Sequence, residues 1–236
     1  AATGDRKYLD FARSRWDLIR DLQNEDPQSA NYGGVRMGPL GDPSNDREQK
    51  LDFKAENPSF YDFYNGEHAA DFLGFSLLLA HADPERAASY RTAADLIKVW
   101  DHRIWDPSTG LFFIGTTEKR YFDANIAQWV EPGVIPMRPL DTSALKISAY
   151  GVDGLDKNFG SGAAERVRQG IEDNFKVSVP VANPAGGTMM ADGYDFVTHD
   201  DRARLVFYEE RGVRGDQKVK IGVGRDPILS DEWSNW

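Results

Sequence analysis

The residues best suited to chemistry are acidic and stand in front of apolar runs. In "NGEHAADFLGFSLLLAHADP", Glu67, His68 and Asp71 head a stretch that must be buried, and "PLDTSALKISAYG" sets Asp141 before another. "SDEWSNW" repeats the arrangement with Glu232. Glu67 and Asp71 are four apart, so a helix places both on one face within a turn of its N-terminus. There the positive end of the helix dipole favours carboxylates. A general acid needs the reverse, a carboxyl kept protonated by burial or by a neighbouring negative charge, and each of the two can supply that to the other. The plainer reading is helix capping, which applies equally to Asp141 ahead of Thr142 and Ser143, and to Asp231 and Glu232. His68 stands without a His-rich cluster or an HExxH pattern, so it is expected to be a hydrogen-bonding neighbour, and no metal site is expected. Tyr64, Trp129 and Trp233 could stack on pyranose faces, since each offers an apolar plate with a polar edge; core packing is the competing role.

Other chemistries are excluded by composition. The 236 residues hold 28 basic and 38 acidic side chains, a net charge of −10, which disfavours a phosphate backbone as partner. With zero cysteines there are no disulfides and no thiolate ligands or nucleophiles. That fits the cytoplasm and the bacterial periplasm alike; the expectation is a periplasmic or secreted protein, with the cytoplasm left open. No run approaches the roughly 20 apolar residues that cross a bilayer, and none reads as a signal peptide. The "GVG" of Gly222 to Gly224 lacks the third glycine and the helix of a dinucleotide site.

The elements that must hold the acids are helical. Asp83 and Pro84 read as the N-cap and first position of a helix carrying Tyr90, Ala94, Ile97, Trp100 (or Asp101) and Ile104 on one face. The helix before it, with Phe72, Leu73, Phe75, Leu77, Leu78 and Leu79, is apolar nearly all round and is expected to be enclosed. The pair recurs: "PLDTSALKISAYGVDGL" is a second enclosed helix, and "SGAAERVRQGIEDNFKV" its amphipathic follower with Ala164, Val167, Ile171 and Phe175. "GDRKYLDFARSRWDLIRDLQ" is a third half-exposed helix, and its "WDLI" aligns with the later "ADLI". Repeated inner–outer hairpins predict a curved array or ring. Gln23 to Phe60 reads as a long loop, and residues 178–229, with "RLVFYEE" and "KVKIGVG", as a β-rich insertion within one domain.

"LIKVWDHRIWDPSTGLFFIGT", with its Trp-Asp-Pro-x-x-Gly turn, followed by "PLDTSALKISAYG", resembles the six-hairpin (α/α) toroid glycosidases. The resemblance implies a mainly α fold in which inner helices point their N-termini at a cleft. It implies carboxylate general acid and base catalysis on glycans, with no cofactor. Glu67-His68 with Asp71 matches the acidic-His pair before an inner helix, Leu140-Asp141-Thr142 the Leu-Asp-Thr before the next, and Asp231-Glu232-Trp233 a later acidic site. The superfamily also holds epimerases and lyases; an isomerase or epimerase would want a histidine pair, and only His68 is placed for one. The expected function is hydrolysis of an oligo- or polysaccharide, inverting favoured, with Glu67 as acid and Asp141 or Glu232 as base. The alternative is a non-catalytic glycan-binding or assembly protein on the same scaffold. "TGD" near the start and "SDEWSNW" at the end both read as parts of broken hairpins, so a further segment or chain is expected to complete the ring.

Overall fold

The structure is a computed structural model that describes residues 6–39, 60–123, 128–194, 208–211 and 218–221. It is mainly helical, with small antiparallel sheets. Five α-helices are described: α1 (Arg6–Arg20), α2 (Gly66–Ala82), α3 (Ala87–Ile104), α4 (Leu140–Phe159) and α5 (Ala163–Phe175). None of them is long and apolar enough to cross a membrane.

Helix α2 is the hub and packs against α1, α3 and α4. Its N-cap is Asn65, whose Oδ1 accepts the His68 amide at 2.9 Å, and it buries Ala69, Ala70, Phe72, Leu73, Ser76, Leu79 and Ala80. It is not enclosed as its composition predicts: Leu77 and Leu78 are exposed, because three neighbours cover only part of its circumference. Helix α3 returns antiparallel to it on Tyr90, Ala94, Ile97, Trp100 and Ile104, the expected face. The expected cap is not there. Asp83 ends α2, giving its amide to Leu79 O, and α3 begins only at Ala87. The Asp83 carboxylate instead takes two hydrogen bonds from Arg13, at 2.7 and 2.5 Å, and one from Tyr90 Oη at 2.7 Å. A bidentate guanidinium outbids a helix amide.

Helix α1 lies on the same side of α2 as α3. Trp16 is buried, stacks edge-on with Tyr90 and donates to Ser76 Oγ at 2.8 Å. Residues 23–39, the described part of the expected loop, are tied down closely. Gln23 Nε2 donates to Gly33 O and Ala93 O, Thr116 Oγ1 donates to Asn31 Oδ1, and Val35 is buried. Gly33, at φ +90, and Gly34 let this segment lie directly on Leu96 and Trp100, where a side chain would collide.

The Trp-Asp-Pro-x-x-Gly stretch forms β2 (Trp105–Asp106) and β3 (Leu111–Phe112), joined by a turn in which Asp106 accepts from Ser108, Thr109 and Arg138. Gly110 closes the turn at φ +73. Strands β1 (Phe63–Asn65), β4 (Gly115–Thr117) and β7 (Gly133–Val134) form a three-stranded sheet immediately ahead of α2. From it projects the hairpin β5 (Tyr121–Asp123) and β6 (Gln128–Val130).

Helix α4 departs from the expected single enclosed helix. Gly151 sits at φ 66, ψ 173, which breaks it into Leu140–Tyr150 and a second piece ending at Phe159. Phe159 then packs on His102, Trp105, Phe112 and Tyr150, so the chain has turned back toward the end of α3. Leu140, Ala144, Leu145 and Ile147 are only half-buried; the buried positions are Thr142, Ser143, Lys146 and Leu155. After α5, strands β8 (Lys176–Ala182) and β9 (Thr188–Tyr194) pair antiparallel, as do β10 (Tyr208–Arg211) and β11 (Lys218–Ile221). The last two come from the runs read as β-type in the sequence.

Candidate functional site: two helix mouths

The mouths of α2 and the first half of α4 meet. A Cβ on Gly66 would stand 2.7 Å from Thr142 Cγ2, and farther along one on Gly74 would stand 3.9 Å from Ala149 Cβ. The two helices therefore run parallel, side by side. Backbone bonds fix the junction: Gly66 N–H donates to Ile114 O at 2.7 Å, and Ile114 N–H donates to Met137 O at 2.7 Å.

Each helix carries a carboxylate at its second residue, so Glu67 and Asp141 open at the same end. Glu67 is half-buried and has no hydrogen-bond or ion-pair partner among the described residues. Asp141 is half-buried and accepts the amide of Thr142 at 2.6 Å. It is not the N-cap; that position is held by Pro139, which lacks a capping side chain. Asp71 is exposed one turn below Glu67, and His68 is exposed beside it. Thr142 Oγ1 is buried without a partner among the described residues. Glu232 and Trp233 lie outside the described residues.

Beneath the mouths is a charge pair that sequence reasoning missed. Lys146 and Asp101 are fully buried, with Nζ 2.7 and 2.8 Å from the two carboxylate oxygens, and Tyr150 Oη donates to the same carboxylate at 2.8 Å. Burial works against both charges, pushing Asp101 up and Lys146 down, while their contact opposes each shift. Asp71 adds to the field that favours the ammonium. The available signal was a lone lysine inside "ALKISAYG" and an aspartate beside Trp100 on the buried face of α3.

Tyr64 is no stacking plate. It is buried to 1% exposure, with Arg36 over its ring at 4.5 Å, Asn24 Nδ2 donating to its hydroxyl at 2.8 Å and that hydroxyl donating to Glu118 Oε1 at 2.5 Å. Burial and then the Glu118 contact push the phenol well above its ordinary range. The ring thus closes the wall behind β1. Trp129 is different: on β6 it is 46% exposed, with the Arg120 guanidinium 4.6 Å from its ring centre. Its hairpin springs from β4 and β7, the sheet that leads into the α2 mouth.

Among the described residues no cluster of His, Asp and Glu is arranged to hold a metal ion. A groove lined by Leu77, Ala80, His81, Pro84, Ala87 and Arg91 lies at the other end of α2, away from the carboxylates. No family model, curated protein or solved structure matches this chain.

Proposed function

We propose that the chain is a carbohydrate-active protein of (α/α)-toroid type, and that the paired mouths of α2 and α4 line its glycan cleft. The observation that carries this reading is the parallel abutment of the two mouths, which brings Glu67 and Asp141 to one end of the helical layer. The activity that suits two carboxylates on such a rim is glycoside hydrolysis. Glu67 protonates the leaving glycosidic oxygen as the C–O bond breaks, and Asp141 takes a proton from the water that attacks the anomeric carbon from the opposite face. That is an inverting displacement, for which the carboxyls stand roughly 6.5–9.5 Å apart with the water between them. Glu232 competes with Asp141 for the role of base. On this reading the exposed Asp71 and His68 accept from and donate to sugar hydroxyls.

The exposed Trp129 supports a second reading, glycan binding without turnover, because stacking and hydrogen bonding need no opposed acid and base. Reducing-sugar release over a panel of oligo- and polysaccharides separates the two. Hydrolysis predicts release that falls at least about 10²–10⁴-fold in Glu67→Gln while the melting temperature holds. Full activity in that variant, with a lower melting temperature, makes Glu67 a structural carboxylate and ends the catalytic reading. Retention of a glycan that is never cleaved selects the binding protein.

A further inference from the structure

Asn65 and Gly66 are each fixed by a separate demand of the fold. Asn65 caps α2: its Oδ1 accepts the His68 amide at 2.9 Å, a bond that favours asparagine at this position. Gly66 is required by the neighbouring helix. A Cβ there would stand 2.7 Å from Thr142 Cγ2, 3.1 Å from Ile104 Cδ1 and 3.2 Å from Ile114 O. Cap and contact together put an asparagine directly before a glycine, the one such pair in the sequence.

That pair is chemically labile. A backbone nitrogen unhindered by a side chain on its own residue attacks the asparagine Cγ. The new N–C bond closes a succinimide, the Cγ–Nδ2 bond breaks, and ammonia leaves with the proton of the backbone amide. Water then opens the ring at either carbonyl, giving aspartate or isoaspartate. Water is the sole co-reactant.

The fold holds this reaction off. Asn65 has ψ 130, which turns the Gly66 nitrogen away from the Asn65 side chain, whereas closure needs that nitrogen eclipsed with Cβ. Gly66 N–H is engaged by Ile114 O at 2.7 Å, and Asn65 Oδ1 by the His68 amide. Rotation is resisted upstream as well: Asn65 N–H donates to Val35 O at 3.0 Å, and Asn65 pairs with Gly115 across β1 and β4. The residue is only 8% exposed. Freeing it means unzipping β1 and undoing the first turn of α2 together.

We propose that Asn65 is a covalent modification site, gated by the α2 mouth, whose isoaspartyl product uncouples the mouths of α2 and α4. Isoaspartate runs the main chain through Cβ and so adds one atom between β1 and α2. The Asn65–Gly115 pairing and the Gly66–Ile114 bond then lose their common register, and with it goes the abutment of Gly66 on Thr142. Aspartate, the other product, keeps the chain length and an oxygen for the His68 amide, so it leaves the junction in place. The proposal is independent of the glycan reading, and no sugar enters its test.

The full chain, folded and in urea, is incubated in mildly alkaline buffer beside the synthetic peptide DFYNGEHAA, residues 62–70. Peptide mapping by mass spectrometry locates the amide-to-acid change, and isoaspartyl methyltransferase labelling separates isoaspartate from aspartate. The expected result is that Asn65 converts ahead of every other asparagine in urea, at the rate of the peptide. In the folded chain it converts at least about tenfold more slowly, because only opened molecules react. Isoaspartyl chains, made in urea, refolded and isolated by chromatography, should melt below Asn65→Asp, which carries the same charge and should melt close to the wild type. Failure of the isoaspartyl chain to refold where Asn65→Asp folds supports the same conclusion. A folded chain that converts as fast as the peptide overturns the gate. Faster conversion at another asparagine in urea overturns the site. An isoaspartyl chain that melts with Asn65→Asp shows that the added atom does not uncouple the mouths.

Discussion

The buried pair under the site makes the sharpest demand on the fold. Lys146→Met removes the ammonium that both Asp101 oxygens accept from, in a place with no solvent access to either side chain. Among the described residues, Tyr150 Oη is then the hydrogen-bond donor that remains to Asp101. Breaking a buried pair from one side costs about 3–5 kcal/mol, because the surviving charge is left uncompensated. The retained tyrosine bond returns about 1 kcal/mol of that at most. Against a total stability of about 5–15 kcal/mol, the loss is a large fraction of what holds the protein folded. For a chain of this size it lowers the melting temperature by about 2–4 °C per kcal/mol, near 10 °C in all. The triple variant Lys146→Met, Asp101→Leu, Tyr150→Phe removes every polar member together and should recover to within about 1.5 kcal/mol of the wild type. Urea unfolding followed by far-ultraviolet circular dichroism gives the comparison. If Lys146→Met costs less than about 1 kcal/mol, or the triple variant is no more stable than the single, the pair does not carry the burden assigned to it.

Two further outcomes follow from the geometry. The Arg13 fork holds the Asp83 carboxyl down at about 2, with Tyr90 helping and burial opposing; in an unfolded chain it titrates at roughly 3.9. A depressed carboxyl stabilises the fold fully above its unfolded value, so this contribution should fade as pH falls from about 4 toward 2. Asp83→Asn should flatten the decline measured by urea unfolding at pH 6, 4 and 3, and an unchanged slope would contradict the assignment. Gly66→Ala places a methyl 2.7 Å from Thr142 Cγ2 and should cost about 1–3 kcal/mol by overpacking. A melt equal to the wild type would show that the two mouths are not in contact.

Much of the helical layer was legible because its signal is local. The face of α3 from Tyr90 to Ile104 follows from spacing alone, and the Trp105 to Gly110 turn from the residues that a tight turn needs. What failed depended on partners distant in sequence. Asp83 looked like a cap until Arg13, seventy residues earlier, claimed it. Tyr64 looked like a sugar plate until Arg36, Asn24 and Glu118 closed around it. Lys146 reads as an incidental polar residue of an apolar run because Asp101, its counter-charge, comes forty-five residues before it. Gly151 lies within a run whose spacing reads as one helix, although a glycine there can leave the helical region at little steric cost. That Glu67 and Asp141 stand in first turns of helices was legible because an acid before an apolar run is a local signal of a helix start.

The stitch through Ile114 has a consequence for how such a rim can diversify. Gly66 and Met137 are joined to it by amides and carbonyls, with no side chain taking part. The spacing of the two mouths is thus written in the main chain, and most substitutions along the rim leave it in place. Glu67 and Asp141 sit on that frame as interchangeable fittings. On the proposed reading, exchanging them for other polar groups would alter the reaction or the ligand without re-engineering the scaffold, and one architecture can in this way host unrelated chemistries.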